Sequence, residues 1–110
     1  LISGAVCFKY VLTFGGALML LFEWDKQKAK KNLQKHNVSF EEASTAFADP
    51  FSLTIFDPLH SDEEDRFVLL GKTYKNRLVV VVHTERDDRI RIISARKATK
   101  KEKEQYEEKK

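Results

Sequence analysis

Apolar positions change period repeatedly along this 110-residue chain, and each change marks an element. Residues 20–24, Leu-Leu-Phe-Glu-Trp, read as a short strand. Asp25 follows, and its carboxylate suits the free N–H groups that open a helix. From 26 to 35 the spacing turns helical: Ala29 and Leu33 stand at i, i+4, leaving one narrow apolar stripe on a Lys-rich helix. Asn37 suits the left-handed position past a helix end. Ser39-x-x-Glu42 has the form of a capping box and opens a second helix. Phe40, Ala43 and Phe47 give that helix a buried face, and Asp49-Pro50 ends it.

Beyond Pro50 the period falls to two. Phe51, Leu53 and Ile55 alternate as in a strand. Residues 57–65 form an acidic loop. Three strands follow at 66–71, 78–84 and 90–95, joined by short links that suit hairpins. Thr99-x-x-Glu102 is a second capping box and starts a last helix running to about 108. Tyr106 is its only large nonpolar residue, so this helix is expected to be loosely held without a partner. The expected fold is α+β: a three-stranded antiparallel meander plus one or two further strands, with two N-terminal helices and one C-terminal helix.

The first 22 residues are almost wholly apolar, with Lys9 as the sole charge. They lack the basic flank of a signal peptide. They are just long enough for a membrane span, but Lys9 and the Gly15–Gly16 pair oppose one. Met19 is the only methionine, and the first strand begins directly after it. The expectation is an extension over 1–18 and a single domain over 19–110, with a membrane anchor as the alternative.

Charge adds a polarity that the net value of +3 hides. Residues 40–65 carry eight acids and no Lys or Arg, whereas residues 66–110 carry fourteen Lys or Arg against seven acids. Such segregation offers a basic face for a polyanion, or simply solvated faces. The single cysteine, Cys7, allows no intrachain disulfide. His36, His60 and His83 are too widely spaced for helix-borne metal ligands, and no Gly-rich phosphate loop is present.

What remains is Arg, Lys, His and Tyr on a small sheet. Metal-free RNA cleavage needs little more: a base for the 2′-hydroxyl, an acid for the leaving oxygen, and fixed cations for the phosphorane. Arg66, Arg91 and Arg96 flank or lie in the strands. Each is a phosphate fork or a surface ion pair. Regular alternation sends Arg91 and Arg96 to opposite faces, so they share a site only if the strand bulges or ends between them. His36 is either a helix C-terminal cap or a proton shuttle. Tyr106 either stacks on a base or pins the last helix. His83, after four valines, reads as a core-edge histidine.

Three stretches resemble one known family. Phe22-Glu23-Trp24-Asp25, Lys28, Asn32 and Lys35-His36-Asn37-Val38-Ser39-Phe40-Glu41-Glu42-Ala43 resemble the opening of the BrnT toxins, continued by Phe47-Ala48-Asp49-Pro50. Arg66-Phe67 with Leu70-Gly71 resembles their middle strand. Arg89-Ile90-Arg91-Ile92-Ile93-Ser94-Ala95-Arg96-Lys97-Ala98, Glu102 and Tyr106 resemble their ending. The family pattern has Gly where Asn37 stands and Arg where Lys103 stands.

The resemblance implies a RelE-like fold and a cytoplasmic, cofactor-free endoribonuclease that arrests growth by cutting RNA. It implies neutralisation by a cognate BrnA-type antitoxin, through which alone operator DNA is bound, and it allows a homodimer within that complex. It carries over His36, Arg66, Arg91, Arg96 and Tyr106 as a catalytic set, and Lys35, Lys72 and Lys97 as RNA contacts. Arg66 and Arg96 are expected on the scissile phosphate, His36 as proton shuttle, and Tyr106 and Lys97 on flanking nucleotides. The rival expectation is a basic binding module without chemistry.

Overall fold

The computed structural model describes residues 6–14, 18–60, 64–86 and 89–109. The Gly15–Gly16 pair and Asp62 and Glu63 of the acidic loop lie outside them. Six strands form one sheet in the order β1-β2-β6-β5-β4-β3: β1 (Val6–Phe14), β2 (Leu18–Asp25), β3 (Leu53–Asp57), β4 (Arg66–Lys72), β5 (Leu78–Arg86) and β6 (Arg89–Lys97). The expected meander is β4-β5-β6, extended by antiparallel β3 on one side and parallel β2 on the other. Those are the five strands foreseen. The sixth, β1, falls within the segment set apart as an extension and pairs antiparallel with β2.

The caps form as the sequence dictates. Asp25 accepts from the N–H groups of Gln27 and Lys28 at 2.8 and 3.2 Å and starts α1 (Lys26–His36). Asn37 ends α1 in the left-handed conformation, φ 58°. Ser39 accepts from the Glu42 N–H at 3.0 Å and starts α2 (Phe40–Thr45). The Glu42 carboxylate does not complete that box. It turns instead to Thr73 and Arg77, a stronger, charge-assisted pairing. After α2 the chain tightens into a 3-10 turn, Ala46–Ala48. Gly71 lets β4 approach this turn, since a Cβ there would stand 2.9 Å from the Ala46 carbonyl.

The two faces of the sheet carry different layers. On one, α1 and α2 cover Phe22, Trp24, Leu69, Val79, Val81, Ile90, Ile92 and Ala95. Asn32 of α1 ties this layer to β6 through both backbone groups of Ala95. On the other, α3 (Lys100–Lys109) lays Tyr106 against Leu70, Leu78 and Val80. Contrary to the expectation of a loose helix, α3 is held at two points. Tyr106 is 1% exposed and donates to Asp49 at 2.6 Å, and Glu102 binds Arg96. A partner 57 positions away in sequence leaves no local signal.

Candidate active site

The face that carries α3 also carries the arginines. Asp57 pairs with Arg66, Arg66 with Thr84, Thr84 with Arg91, and Arg91 with Glu23. Residues directly opposite on neighbouring strands share a face, so these five form one row across five strands, spaced about 5 Å apart. Thr84 lies four residues along β5 from Val80, about 13 Å. A helix with its side chains is about 10–12 Å across, so α3 over Val80 does not reach the row, although the flanking side chains bury Thr84 and Glu23 and the Glu64 carboxylate acts on Arg66 and Arg91.

A bulge brings Arg91 and Arg96 to this face together. The β5–β6 register shifts between Val82 and His83: Ser94 faces Val82, Ile92 faces His83, and Ile93 is the extra residue. Ile92 and Ala95 therefore both enter the helix-covered core. Arg91 opposite Thr84 and Arg96 opposite Val80 both turn to the α3 side.

Thr84 sits at the centre of the row. It is 1% exposed, and its Oγ1 has no hydrogen-bond partner among the described residues. A buried hydroxyl in that state costs about 1–3 kcal/mol, and this one stands between two arginines. Glu23 closes the row. It is 6% exposed and lies 3.3 Å from Arg89 Nη1, 3.4 Å from Arg91 Nη1 and 3.8 Å from Arg86 Nη1. Arg86 is itself gripped by Glu64 at 2.5 and 2.8 Å, and that hydrogen bonding holds the Glu64 carboxyl below its ordinary range.

The remaining expected residues divide. Arg96 is committed to Glu102, with Nη1–Oε1 and Nη2–Oε2 both 2.9 Å. Tyr106 is a buried pin: burial first, then the Asp49 carboxylate, push its phenol above the ordinary range. His36 ends α1 and is half-buried, while Lys35 beside it is exposed; α1 packs on the other face, so the sheet separates His36 from the row. Lys72 and Lys97 line a groove beside α3, together with Arg77, Lys100 and Lys103 and with Glu104, Glu107 and Glu108. None of the five row residues lines it. His83 is a core residue between the Phe47 and Phe67 rings, and burial lowers its pKa.

Sequence reasoning did not single out Glu23 and Thr84, which the register brings into this row. A signal for Glu23 was present: a carboxylate between the core aromatics Phe22 and Trp24 must point to the opposite face. Among the described residues no group of three His, Cys, Asp or Glu is placed to hold a metal ion. Nor is any helix there long and apolar enough to cross a membrane.

Comparison with known proteins gives the family and the fold. Residues 24–102, which contain Arg66, Thr84, Arg91 and Arg96, match the family described as the ribonuclease toxin BrnT of type II toxin–antitoxin systems. The chain is also similar to the crystal structure of the Brucella abortus ribonuclease toxin BrnT. The TM-score is 0.51 at 19% identity, over 70% of this chain and 94% of that one. At that identity the likeness speaks for the fold. No curated protein matches the chain.

Proposed function

The chain belongs to the BrnT family of ribonuclease toxins of type II toxin–antitoxin systems, and from that premise we propose that it is a metal-independent endoribonuclease whose phosphate site is the Arg66–Thr84–Arg91 row. One observation carries this reading: the buried Thr84 hydroxyl, without a hydrogen-bond partner among the described residues, between two arginines on the part of the sheet that α3 does not reach. A phosphate seated there receives the Thr84 O–H and the charge of both guanidinium groups, which stabilise the phosphorane as negative charge builds. Attack by the adjacent 2′-hydroxyl leaves a 2′,3′-cyclic phosphate and a 5′-hydroxyl. Lys72 and Lys97 serve flanking nucleotides from their groove. Arg91 replaces Arg96 beside Arg66, because Glu102 already occupies the Arg96 fork. His36 stays in the basic last turn of α1, beside its cap Asn37.

A cognate BrnA-type antitoxin neutralises the toxin by laying an acidic segment over the row, and operator DNA is bound through the antitoxin. Its binding should slow amide exchange in β4 to β6; unchanged exchange there refutes the covering.

The central test is cleavage of RNA by the antitoxin-free chain in EDTA. The expected result is 2′,3′-cyclic phosphate ends, lost about 10²–10³-fold in Arg66→Ala and Arg91→Ala. Wild-type activity in both variants would sink the assignment. RNA binding without cleavage in EDTA would favour a plain binding module.

A further inference from the structure

The row holds a carboxylate that phosphate binding alone does not explain. Glu23 lies one strand beyond Arg91, on the face where a polyanion has to lie. A negative charge there weakens anion binding, and a buried carboxylate is itself costly. Its position is nevertheless rigidly set. Phe22 and Trp24 are 0% and 2% exposed in the core on either side, so β2 cannot turn Glu23 away.

The pairing around Glu23 differs from that of the structural carboxylates nearby. Glu102 and Glu64 each take one arginine in a two-pronged bond, at 2.9 and 2.9 Å and at 2.5 and 2.8 Å. Glu23 instead accepts one longer hydrogen bond from each of two arginines, Arg89 Nη1 at 3.3 Å and Arg91 Nη1 at 3.4 Å, and stands 3.8 Å from Arg86 Nη1. A carboxylate has about four acceptor positions. Three long contacts leave it room to accept a hydroxyl proton.

We propose that Glu23 is the general base of the reaction and accepts the 2′-hydroxyl proton of the nucleotide whose phosphate lies on Arg66, Thr84 and Arg91. This rests on reading that row as the phosphate site. Glu23 takes the proton, and the 2′-oxygen bonds to phosphorus as the bond from phosphorus to the 5′-oxygen breaks. Water protonates the departing 5′-oxygen, and the hydroxide so formed recovers the proton from Glu23. Arg89 and Arg91 hold the carboxylate in place and, being permanently charged, do not compete for the proton.

The test uses the full chain and two readouts. One is the pH dependence of kcat/KM on an RNA oligonucleotide in EDTA. The other is binding of the 2′-O-methylated form of that oligonucleotide, which has no nucleophile. Glu23→Gln should lower kcat by about 10²–10⁴-fold and remove the acid limb of the pH profile. It should bind the methylated RNA at least as tightly as wild type, which also shows that the variant is folded. Glu23→Asp should keep the acid limb at a reduced rate. Glu23→Gln cleaving within about threefold of wild type with its acid limb intact overturns the proposal. So does a loss of kcat matched by an equal loss of binding, the mark of a residue that only positions Arg91. The row assignment fails separately, if Arg66→Ala and Arg91→Ala cleave normally.

Discussion

Glu102 holds both prongs of the Arg96 guanidinium, and in the same position it accepts the Thr99 N–H at 2.8 Å. Thr99 in turn accepts from the Glu102 N–H at 3.2 Å, so one carboxylate closes the capping box of α3 and ties it to β6. Arg96 is therefore a structural residue in the free protein. Arg96→Ala should lower stability by about 1 kcal/mol, since the pair is part-exposed. It should reduce RNA cleavage far less than Arg91→Ala. Urea unfolding and cleavage of one RNA by both variants decide this; equal losses of activity would return Arg96 to the scissile phosphate.

The same pair shapes acid stability. Hydrogen bonds from Arg96 pull the Glu102 carboxyl from 4.5 to about 2 against the opposing effect of burial. A depressed carboxyl contributes stability that is complete above its unfolded value and fades as pH falls through the folded one. The contribution is thus whole above about pH 4.5 and lost toward pH 2. In Glu102→Gln, stability plotted against pH should flatten across that window. An acid limb as steep as wild type would show that other carboxylates dominate it.

Arg77 and Glu42 form the more buried tie, with side chains 28% and 3% exposed. Arg77 Nε donates to Glu42 Oε2 at 2.8 Å, Thr73 donates to the same oxygen at 2.8 Å, and Arg77 Nη2 reaches the Asn37 carbonyl at 3.0 Å. The pair joins α2 to the β4–β5 turn. Arg77→Met strands a buried carboxylate and should cost about 3 kcal/mol. Arg77 is the main cause of the lowered Glu42 pKa, so its removal lets Glu42 protonate at higher pH. The stability deficit should therefore shrink as pH is lowered toward 4.5. A deficit constant from neutral to acid pH would mean lost packing of the Arg77 stem instead.

Tyr106→Phe removes a single hydroxyl bonded to a carboxylate, and should cost about 2 kcal/mol. Asp49 keeps the Lys72 and Phe51 N–H groups, so α3 stays in place. The phenol is held protonated in the fold while the unfolded chain ionises near 10.0. Wild-type stability should fall as pH rises past about 10, and the variant should lose that slope. Urea midpoints across the alkaline range measure it, and identical slopes would refute the buried hydroxyl bond.

Local features of this fold are legible in the chain because their causes are local. Asp25, Asn37, Ser39 and Thr99 cap helices through neighbours two to four residues away. The meander follows from alternation and short links. The candidate site is less legible because it is made by register. Arg66, Thr84, Arg91 and Glu23 meet only when β4, β5, β6 and β2 align, and a one-residue bulge at Ile93 sets which face Arg96 takes. Alternation states the condition for Arg91 and Arg96 to share a face, but it cannot place the bulge that meets it. The standing of His36 at a helix end is visible in sequence, whereas the face on which α1 packs, away from the row, is not.

Thr84→Val separates fold from function most sharply. Valine keeps the shape of threonine and removes only the hydroxyl. That hydroxyl is buried and lacks a partner among the described residues, so its removal should leave stability unchanged or raise it by up to about 1 kcal/mol. If the hydroxyl meets the scissile phosphate, cleavage should fall about tenfold, the value of one lost hydrogen bond of about 1.4 kcal/mol. The opposite signs matter, since a residue important only for folding loses both together. Thermal unfolding and RNA cleavage of the one variant supply the answer. A less stable protein, or an equally active one, would remove Thr84 from the site.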